Sequence, residues 1–226
     1  MTADNAEKPA PPHEIMTERL LLRPLRESDA EAVFEAIDES RTELNPWMAW
    51  EPTMREPDDA RKLATRMREN REAQSDFGFG MFRNDDGRFL GATGLHDPNW
   101  EVPAMSIGYW LRTSETGKGL VREAVTALSR VGFGQLGLRR MAITCAATND
   151  RSRRVAESVG YRLEGRLRND ERLPNGDLRD TLVYALIDSD HVVRILLAGE
   201  SLALTPSRLS TCGESVDNMI VRTRTV

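Results

Sequence analysis

The chain has 226 residues, of which 39% are hydrophobic and 30% are charged, and its formal net charge is −5. This length accommodates roughly one to one and a half domains with a buried core. The acidic balance argues against nucleic acid as the main partner, because nucleic-acid binding usually requires a clustered basic surface. No apolar stretch approaches the ~20 residues that span a membrane, and the N-terminus lacks the apolar core of a signal peptide. We therefore expect a cytoplasmic protein with no membrane partner.

The two cysteines and three histidines have no spacing typical of a metal site, so no metal is expected. Cys145 falls within a strand pattern, which favours a buried, inert thiol over a nucleophile.

In the first half of the chain, residues 1–15 are rich in proline and charge and are predicted to be disordered. A predicted strand over residues 19–24 leads to the capping box Ser28-Asp-Ala-Glu31, which opens a helix. Its inward face holds Ala30, Val33, Phe34 and Ile37.

A second helix is predicted over residues 58–72. Alternating apolar residues then predict strands at 77–81 and 89–95, which form a hairpin around the turn at 84–87.

The segment from residue 106 to residue 125 is the most informative. It predicts a strand at 106–111, a polar turn, and Gly117-Lys-Gly119 opening an amphipathic helix. Glycine lacks a Cβ atom, so several backbone N–H groups can turn toward one ligand. The unpaired first-turn N–H groups of the helix and its positive dipole end face the same point. This pattern predicts a cradle for a phosphate-bearing ligand.

Two familiar phosphate motifs do not fit. The turn lacks the first glycine and the hydroxyl residue of the ATP-type P-loop. A dinucleotide-type match, Gly132-Phe-Gly134-Gln-Leu-Gly137, lies at the end of the helix instead of after a strand. We interpret it as a helix stop and a turn.

The second half of the chain continues with a strand over residues 141–146 and a short helix that stops at Gly160. A polar loop around Pro174-Asn-Gly176 precedes a last strand at 180–187. Helices, then a meander of strands, then strand–helix–strand units describe a mixed α+β fold.

Several motifs in this order resemble one family. They are Gly-Tyr-Trp-Leu (108–111), Gly-Lys-Gly (117–119), Glu-Ala (123–124), Asn-x-x-Ser-x-x-Val-Ala-Glu (149–157), Gly-Tyr (160–161) and Glu-Gly (164–165). Together they are similar to the GNAT superfamily of acyl-CoA-dependent N-acetyltransferases, in its RimJ/RimL-type branch. The segments 17–25 and 45–50 also fit that branch, and the resemblance covers roughly residues 16–188.

The resemblance implies a mixed, mostly antiparallel central sheet flanked by helices, with a V-shaped acyl-CoA cleft. It implies acetyl-CoA as co-substrate and a primary amine that attacks the thioester directly. The backbone of residues 110–112 would hold the pantetheine arm, N–H groups near Leu111 would face the thioester oxygen, and residues 117–120 would hold the pyrophosphate. The implied cofactor contacts are Trp110, Leu111, Arg112, Gly117, Lys118, Gly119, Leu120, Val121, Asn149 and Ser152.

By the same resemblance, Ser152 would donate a proton or a hydrogen bond to the departing thiolate, and Asn149 would face the cofactor. Either residue is also a plausible cap of the following helix, and that alternative stays open. The side chains of Lys118 and Arg112 either balance the cofactor's charge or belong to a solvated charged surface.

The sequence departs from the family pattern in the cradle and at the position of the general base. Thr116 replaces the usual Arg or Gln at the start of the cradle, and Val121 replaces a small residue. Ser106 occupies a position where a Glu is frequent and often proposed as the general base. His96, Asp97 and Glu101 are replacement base candidates that would act through water, and each is also consistent with ordinary loop polarity.

The missing Glu constrains the acceptor. An α-amine with a pKa near ~7.8 is roughly a quarter neutral at neutral pH, whereas a lysine amine near ~10.4 is neutral only about one part in a thousand. A weakened base therefore favours a peptide or protein N-terminus. The alternatives are a small amine acceptor (an antibiotic, an amino-acid conjugate or a polyamine) and a CoA-binding module with lapsed catalysis.

Trp47 and Trp50 lie in a Pro-bounded loop where the family builds its acceptor wall, and they either line the pocket or pack in the core. We predict an N-terminal extension at 1–15, an acetyltransferase domain at 16–188 and an extension at 189–226. The last extension is interpreted as an edge element, an arm in a homodimer or a frayed tail.

Overall fold

The computed structural model describes residues 8–173 and 176–190. The predicted tail segments at 191–198 and 219–226, residues 1–7, and Pro174 with Asn175 of the predicted polar loop lie outside the described residues. The predicted domain boundaries stay predictions.

The described residues form one eight-stranded sheet flanked by four helices. The strands are β1 (Ile15–Met16), β2 (Leu20–Arg23), β3 (Phe77–Arg83), β4 (Phe89–Asn99), β5 (Ala104–Leu111), β6 (Arg140–Ala146), β7 (Arg162–Arg172) and β8 (Leu178–Ile187). The helices are α1 (Ala30–Leu44), α2 (Pro57–Glu72), α3 (Leu120–Gly134) and α4 (Asp150–Val159).

The strand order is β1-β2-β3-β4-β5-β6-β8-β7, and every neighbouring pair is antiparallel except β5–β6. This is the mixed, mostly antiparallel sheet that the resemblance implied. The parallel pair follows from the long connection through α3, since a hairpin joins only antiparallel strands.

Alternation along the strands supplies two hydrophobic cores. Phe77, Phe79 and Met81 join the cluster that holds the buried face of α3, whereas Phe82 joins the cluster of α1 and α2. Successive strand residues point to opposite faces, so one strand serves both clusters. The helix pairs α1–α2 and α3–α4 thus cover opposite faces of the sheet.

Several local predictions need correction. The residue before α1 whose side chain accepts a backbone N–H is Asp29, from Arg26 at 2.7 Å, not Ser28. His96 and Asp97, expected in a loop, lie within β4. By contrast, the interpretation of residues 132–137 as a helix stop and a turn is confirmed, since α3 ends at Gly134 and Gly137 turns with φ +68°.

The strand β7 was not predicted from the sequence. This edge strand is exposed along almost its whole length, so it lacks the apolar alternation that reveals a half-buried strand. It is held by antiparallel pairing with β8, which has register shifts at two points.

Candidate active site

The predicted cradle is present at the start of α3. Gly117 and Gly119 both have left-handed backbone conformations, with φ of +78° and +77°, and Gly119 is the N-cap of the helix. A Cβ atom at Gly117 would meet no atom within 4 Å, so glycine is needed there for its conformation and not for space. The open loop and the unpaired N–H groups of the first turn form a site suited to a phosphate anion.

A clamp between the β1–β2 turn and α3 holds the cradle in place. Glu123 accepts hydrogen bonds from Thr17 Oγ1 at 2.6 Å and from Arg19 N at 2.8 Å and Nε at 2.7 Å. Arg19 Nη1 in turn donates to the carbonyl oxygen of Lys118 at 2.9 Å. Burial raises the pKa of Glu123, but the hydrogen bonds from Thr17 and Arg19 outweigh it and hold that pKa below its ordinary value.

Two basic side chains near the cradle are paired with carboxylates. Lys118 Nζ lies 2.9 Å from buried Glu115. The Arg112 side chain is only 2% exposed and points to α1, where its Nη2 contacts Glu35 at 3.1 Å. Arg112 can therefore serve the cleft only through its backbone, because its charge is directed to the opposite side of the strand.

The two parallel strands separate and open a V-shaped cleft. Pairing between β5 and β6 extends only from Ala104↔Arg140 to Ser106↔Ala142. Arg112 N donates to Leu90 on β4 at 2.7 Å. Since N–H directions alternate along an antiparallel ladder, the N–H of Leu111 points to the other edge, toward β6. This supports the expectation that donors near Leu111 face the cleft.

A cavity of about 500 Å³ joins this cleft to a hydrophobic wall. Trp47 and Trp50 both line it, and the ring centroid of Trp50 lies 5.9 Å from that of Trp110 on β5. Buried Glu51 fixes the loop of Trp50 by accepting from Arg41 at 2.6 Å. Trp50 also packs against the α1 and α2 core cluster, so both interpretations apply to it, and a role of the two tryptophans in acceptor binding stays a prediction.

Ser152 and Asn149 meet the cavity at the start of α4. Asn149 Oδ1 accepts the Ser152 N–H at 3.1 Å, so Asn149 caps the helix, which was the alternative left open, and it lines the cavity as well. The Ser152 Oγ lies 2.9 Å from the hydroxyl of Tyr109, which also donates to the Ser152 carbonyl oxygen at 3.1 Å. Burial raises the pKa of Tyr109 to about 12, so its hydroxyl keeps its proton at neutral pH.

Cys145 is buried, at 8% exposure, and its sulfur is free. Burial raises the pKa of this thiol, in agreement with the expected inert cysteine, although the residue lines the same cavity.

The structure distinguishes two of the base candidates by their position relative to the cavity. His96 lines the cavity, and its Nδ1 lies 2.6 Å from Asp76 Oδ2. Glu101 is exposed in the turn between β4 and β5 and is not among the residues that line the cavity.

Several polar residues of the cavity were not identified as site residues from the sequence, among them Asp76, Tyr109, Glu171 and Arg179. Arg179 donates to Glu171 at 2.6 Å and to the Pro46 carbonyl oxygen at 3.1 Å, so it connects the β7–β8 hairpin to the loop of Trp47. Nothing in the local sequence signals this contact, because β7 itself was not predicted. Tyr109 belongs to the Gly-Tyr-Trp motif, and that motif was the available signal.

The cleft fits an acyl-CoA: separated strands offer backbone groups to an amide-bearing arm, and the cradle offers N–H groups to a pyrophosphate. The described residues contain no group of His, Cys, Asp and Glu that could hold a metal ion. Among the helices that the structure describes, none has the length and apolarity needed to cross a membrane. Fold and site together define an acyl-CoA-dependent transferase.

The family model of the acetyltransferase (GNAT) domain matches residues 19–162, and the chain belongs to this family. It is an N-acetyltransferase that uses acetyl-CoA as co-substrate. The family thus supports an enzyme and not a binding module with lapsed catalysis.

The relatives are similar over most of their length. YdaF of Bacillus subtilis (strain 168) is 30% identical over 173 residues, covering 76% of this chain and 93% of YdaF. The ribosomal-protein-serine acetyltransferase of Escherichia coli (strain K12) is 29% identical over 179 residues, covering 77% of this chain and 96% of the relative. The structure of Mycobacterium smegmatis RimJ in complex with CoA-disulfide has a TM-score of 0.70 at 26% identity, covering 80% of this chain and 90% of RimJ. These findings agree with the RimJ/RimL-type branch.

Proposed function

We propose that this enzyme acetylates the α-amine of a peptide or protein N-terminus. The observation that carries the proposal is the set of side chains found where the family usually has a carboxylate as general base. The strand β5 presents Ser106 where a carboxylate base is frequent, and the imidazole of His96 lies in the pocket instead. An imidazole has an ordinary pKa of ~6.5, which suits proton removal from an α-amine of ~7.8 far better than from a lysine of ~10.4.

The relatives support this acceptor class. One relative is named for ribosomal-protein-serine acetylation, and a second, 28% identical over 181 residues, is the [Ribosomal protein uS5]-alanine N-acetyltransferase of Escherichia coli (strain K12). We infer a protein N-terminus that begins with a small residue such as Ser or Ala.

The proposed mechanism uses residues of the cradle, of the end of β5 and of the pocket. The N–H groups of residues 117–120 hold the pyrophosphate, and the backbone of residues 110–112 holds the pantetheine arm. The Leu111 N–H stabilises the negative charge that develops on the thioester oxygen. His96 accepts a proton from the acceptor amine. Ser152, hydrogen-bonded to Tyr109, protonates the departing thiolate.

A small amine acceptor is the second candidate, and one contact favours it. Arg179 joins the β7–β8 hairpin to the Pro46 carbonyl oxygen and closes one side of the cavity. A pocket of about 500 Å³ that stays closed on this side would favour an acceptor smaller than a protein N-terminus.

The test is thiol release from acetyl-CoA with a panel of acceptors. The panel contains peptides with a free Ser or Ala N-terminus and one internal lysine, the same peptides with a blocked N-terminus, and small amines. We expect thiol release with the free peptides, with mass spectrometry locating the acetyl group on the α-amine. Release with the blocked peptides, or with small amines alone, would contradict the proposal.

A further inference from the structure

His96 occupies the position opposite the missing carboxylate. In the β4–β5 ladder, His96 is the direct partner of Ser106. Side chains of directly opposed residues in an antiparallel pair project to the same face of the sheet. The imidazole therefore reaches, from the neighbouring strand, the face on which a side chain at position 106 would lie.

Glycines clear the space in which the imidazole lies. Gly78, Gly94 and Gly108 are register partners across β3, β4 and β5. A Cβ atom at Gly94 would lie 2.9 Å from His96 Cε1, and one at Gly108 would lie 2.9 Å from His96 Nε2. The ring thus lies directly over two glycines, and its Nε2 lies above β5, the strand whose backbone lines the cleft.

The backbone next to His96 is irregular, which affects where the imidazole points. The β4–β5 register shifts between His96 and Asn99, and Asp97 adopts a φ of +53°. A bulge of this kind bends a strand and redirects the side chains beside it.

Asp76 determines which ring nitrogen is free. Its Oδ2 lies 2.6 Å from His96 Nδ1, a distance typical of a strong hydrogen bond to a carboxylate. An ionised carboxylate can only accept, so the neutral imidazole carries its proton on Nδ1 and exposes a lone pair on Nε2. The side chains of Asp76 and His96 are 27% and 34% exposed, so the pair lies at the wall of the cavity and not in the core.

We propose that Asp76 is a positioning residue for acetyl transfer: it holds His96 in the Nδ1-protonated tautomer, with Nε2 facing the acceptor amine above Gly108. This proposal rests on the proposed function. The proton balance is simple, because the acceptor ammonium loses two protons. The first goes to Nε2 and then to water, which leaves a neutral amine that attacks the thioester. The second leaves the nitrogen for Nε2 once the C–N bond has formed. As the C–S bond breaks, the Ser152 hydroxyl gives its proton to the thiolate, and the second amine proton passes through water to Ser152, so that the net products are the acetylated amine, the CoA thiol and one proton released to water.

Other charged groups surround the same cavity and must be considered. The titratable and charged residues that line it are Arg66, Asp76, Tyr109, Cys145, Glu171 and Arg179. Burial raises the pKa of both Tyr109 and Cys145, so neither adds charge at neutral pH. Arg71, which does not line the cavity, interacts electrostatically with Asp76. Among the described residues, Asp76 is the carboxylate in hydrogen-bond contact with His96.

The experiment compares the wild type with Asp76→Asn, His96→Gln and the control Asp85→Asn, which removes a charge from an exposed turn. For Asp76→Asn we expect kcat to fall about 10- to 100-fold, in the range of a general base that is misplaced. The KM for acetyl-CoA stays within about twofold, because the cradle is untouched. Asp85→Asn leaves both quantities unchanged.

A second measurement needs no acceptor and therefore separates this proposal from the proposed function. The chain has three histidines, so the ¹⁵N signals of His96 are assigned by comparison with His96→Gln. We expect a proton on Nδ1 in the wild type and a loss of that preference in Asp76→Asn. A wild-type imidazole protonated on Nε2 overturns the proposal, as does Asp76→Asn with an unaltered kcat. Absence of wild-type turnover with every α-amine would instead overturn the proposed function.

Discussion

The hydroxyl groups of Tyr109 on β5 and Ser152 on α4 lie 2.9 Å apart at the cleft. The Tyr109 hydroxyl also donates to the Ser152 carbonyl oxygen, so the two hydroxyl groups belong to one hydrogen-bond network. We predict that Ser152→Ala lowers kcat by about 100-fold, in the range of a general acid, and that Tyr109→Phe lowers it by about tenfold. Steady-state kinetics with saturating acetyl-CoA measures both. Unaltered turnover in Ser152→Ala would exclude its role as proton donor.

The two ends of α3 offer a matched pair of glycine substitutions, one at the cradle and one away from it. Gly119→Ala forces a left-handed residue to carry a Cβ atom, which costs about 1–2 kcal/mol. Gly134→Ala, at the exposed end of α3, meets nothing within 4 Å and has no positive φ, so its stability stays equal or rises by about 0.5–1 kcal/mol. We expect Gly119→Ala alone to raise the KM for acetyl-CoA, and urea unfolding to give the two stabilities. Equal effects of the two variants would contradict the cradle.

The contact between Arg179 and the Pro46 carbonyl oxygen predicts an effect limited to the acceptor. Arg179→Ala removes the connection between the β7–β8 hairpin and the loop of Trp47, so we expect a several-fold rise in the KM for the acceptor and no change in the KM for acetyl-CoA. Arg166→Ala is the control, because it removes an exposed arginine from the same hairpin. Kinetics with each substrate varied in turn separates the two constants, and a rise in the KM for acetyl-CoA would argue against this assignment.

The clamp at Glu123 predicts a pH-dependent stability. The pKa of Glu123 is lower in the folded protein than its ordinary value of 4.5. The contribution of its charge to stability is therefore present above about that pH and is lost as the pH falls through the lower, folded-state pKa. We expect Glu123→Gln to lower the melting temperature at pH 7, and the difference from the wild type to shrink steadily below pH ~4.5. Thermal unfolding followed by circular dichroism between pH 3 and pH 8 measures this. A difference that does not depend on pH would show that the charge of Glu123 is not involved.

The fold was predictable wherever a segment has one buried side. The apolar faces of α2 and α3 and the alternation in β3 and β6 appear directly in the sequence, and these elements occur where they were predicted. The edge strand β7 was not predictable in this way, because both of its faces are exposed and its charged residues carry no period. The same strand brings Glu171 to the cavity. Because the strand was not predicted, Glu171 was not predicted as a residue of the site.

Arg112 shows a second limit. Its position next to the cradle suggested a charge available to the cofactor, but strand alternation directs its side chain to Glu35 on α1. A sequence places residues along the chain, whereas the face to which a strand residue points depends on register and on what packs there.

The sequence by itself determined the glycine cradle, the amphipathic helix behind it and the family to which the chain belongs, because backbone conformation at glycine and helical periodicity are local properties. Only the tertiary structure decided which polar groups share the cavity. His96 and Ser106 become neighbours through antiparallel register, and Asp76 reaches His96 from 20 residues away along the chain. Tyr109 reaches Ser152 across 43 residues. These contacts depend on how strands pair and where the parallel pair separates, and no local pattern encodes either.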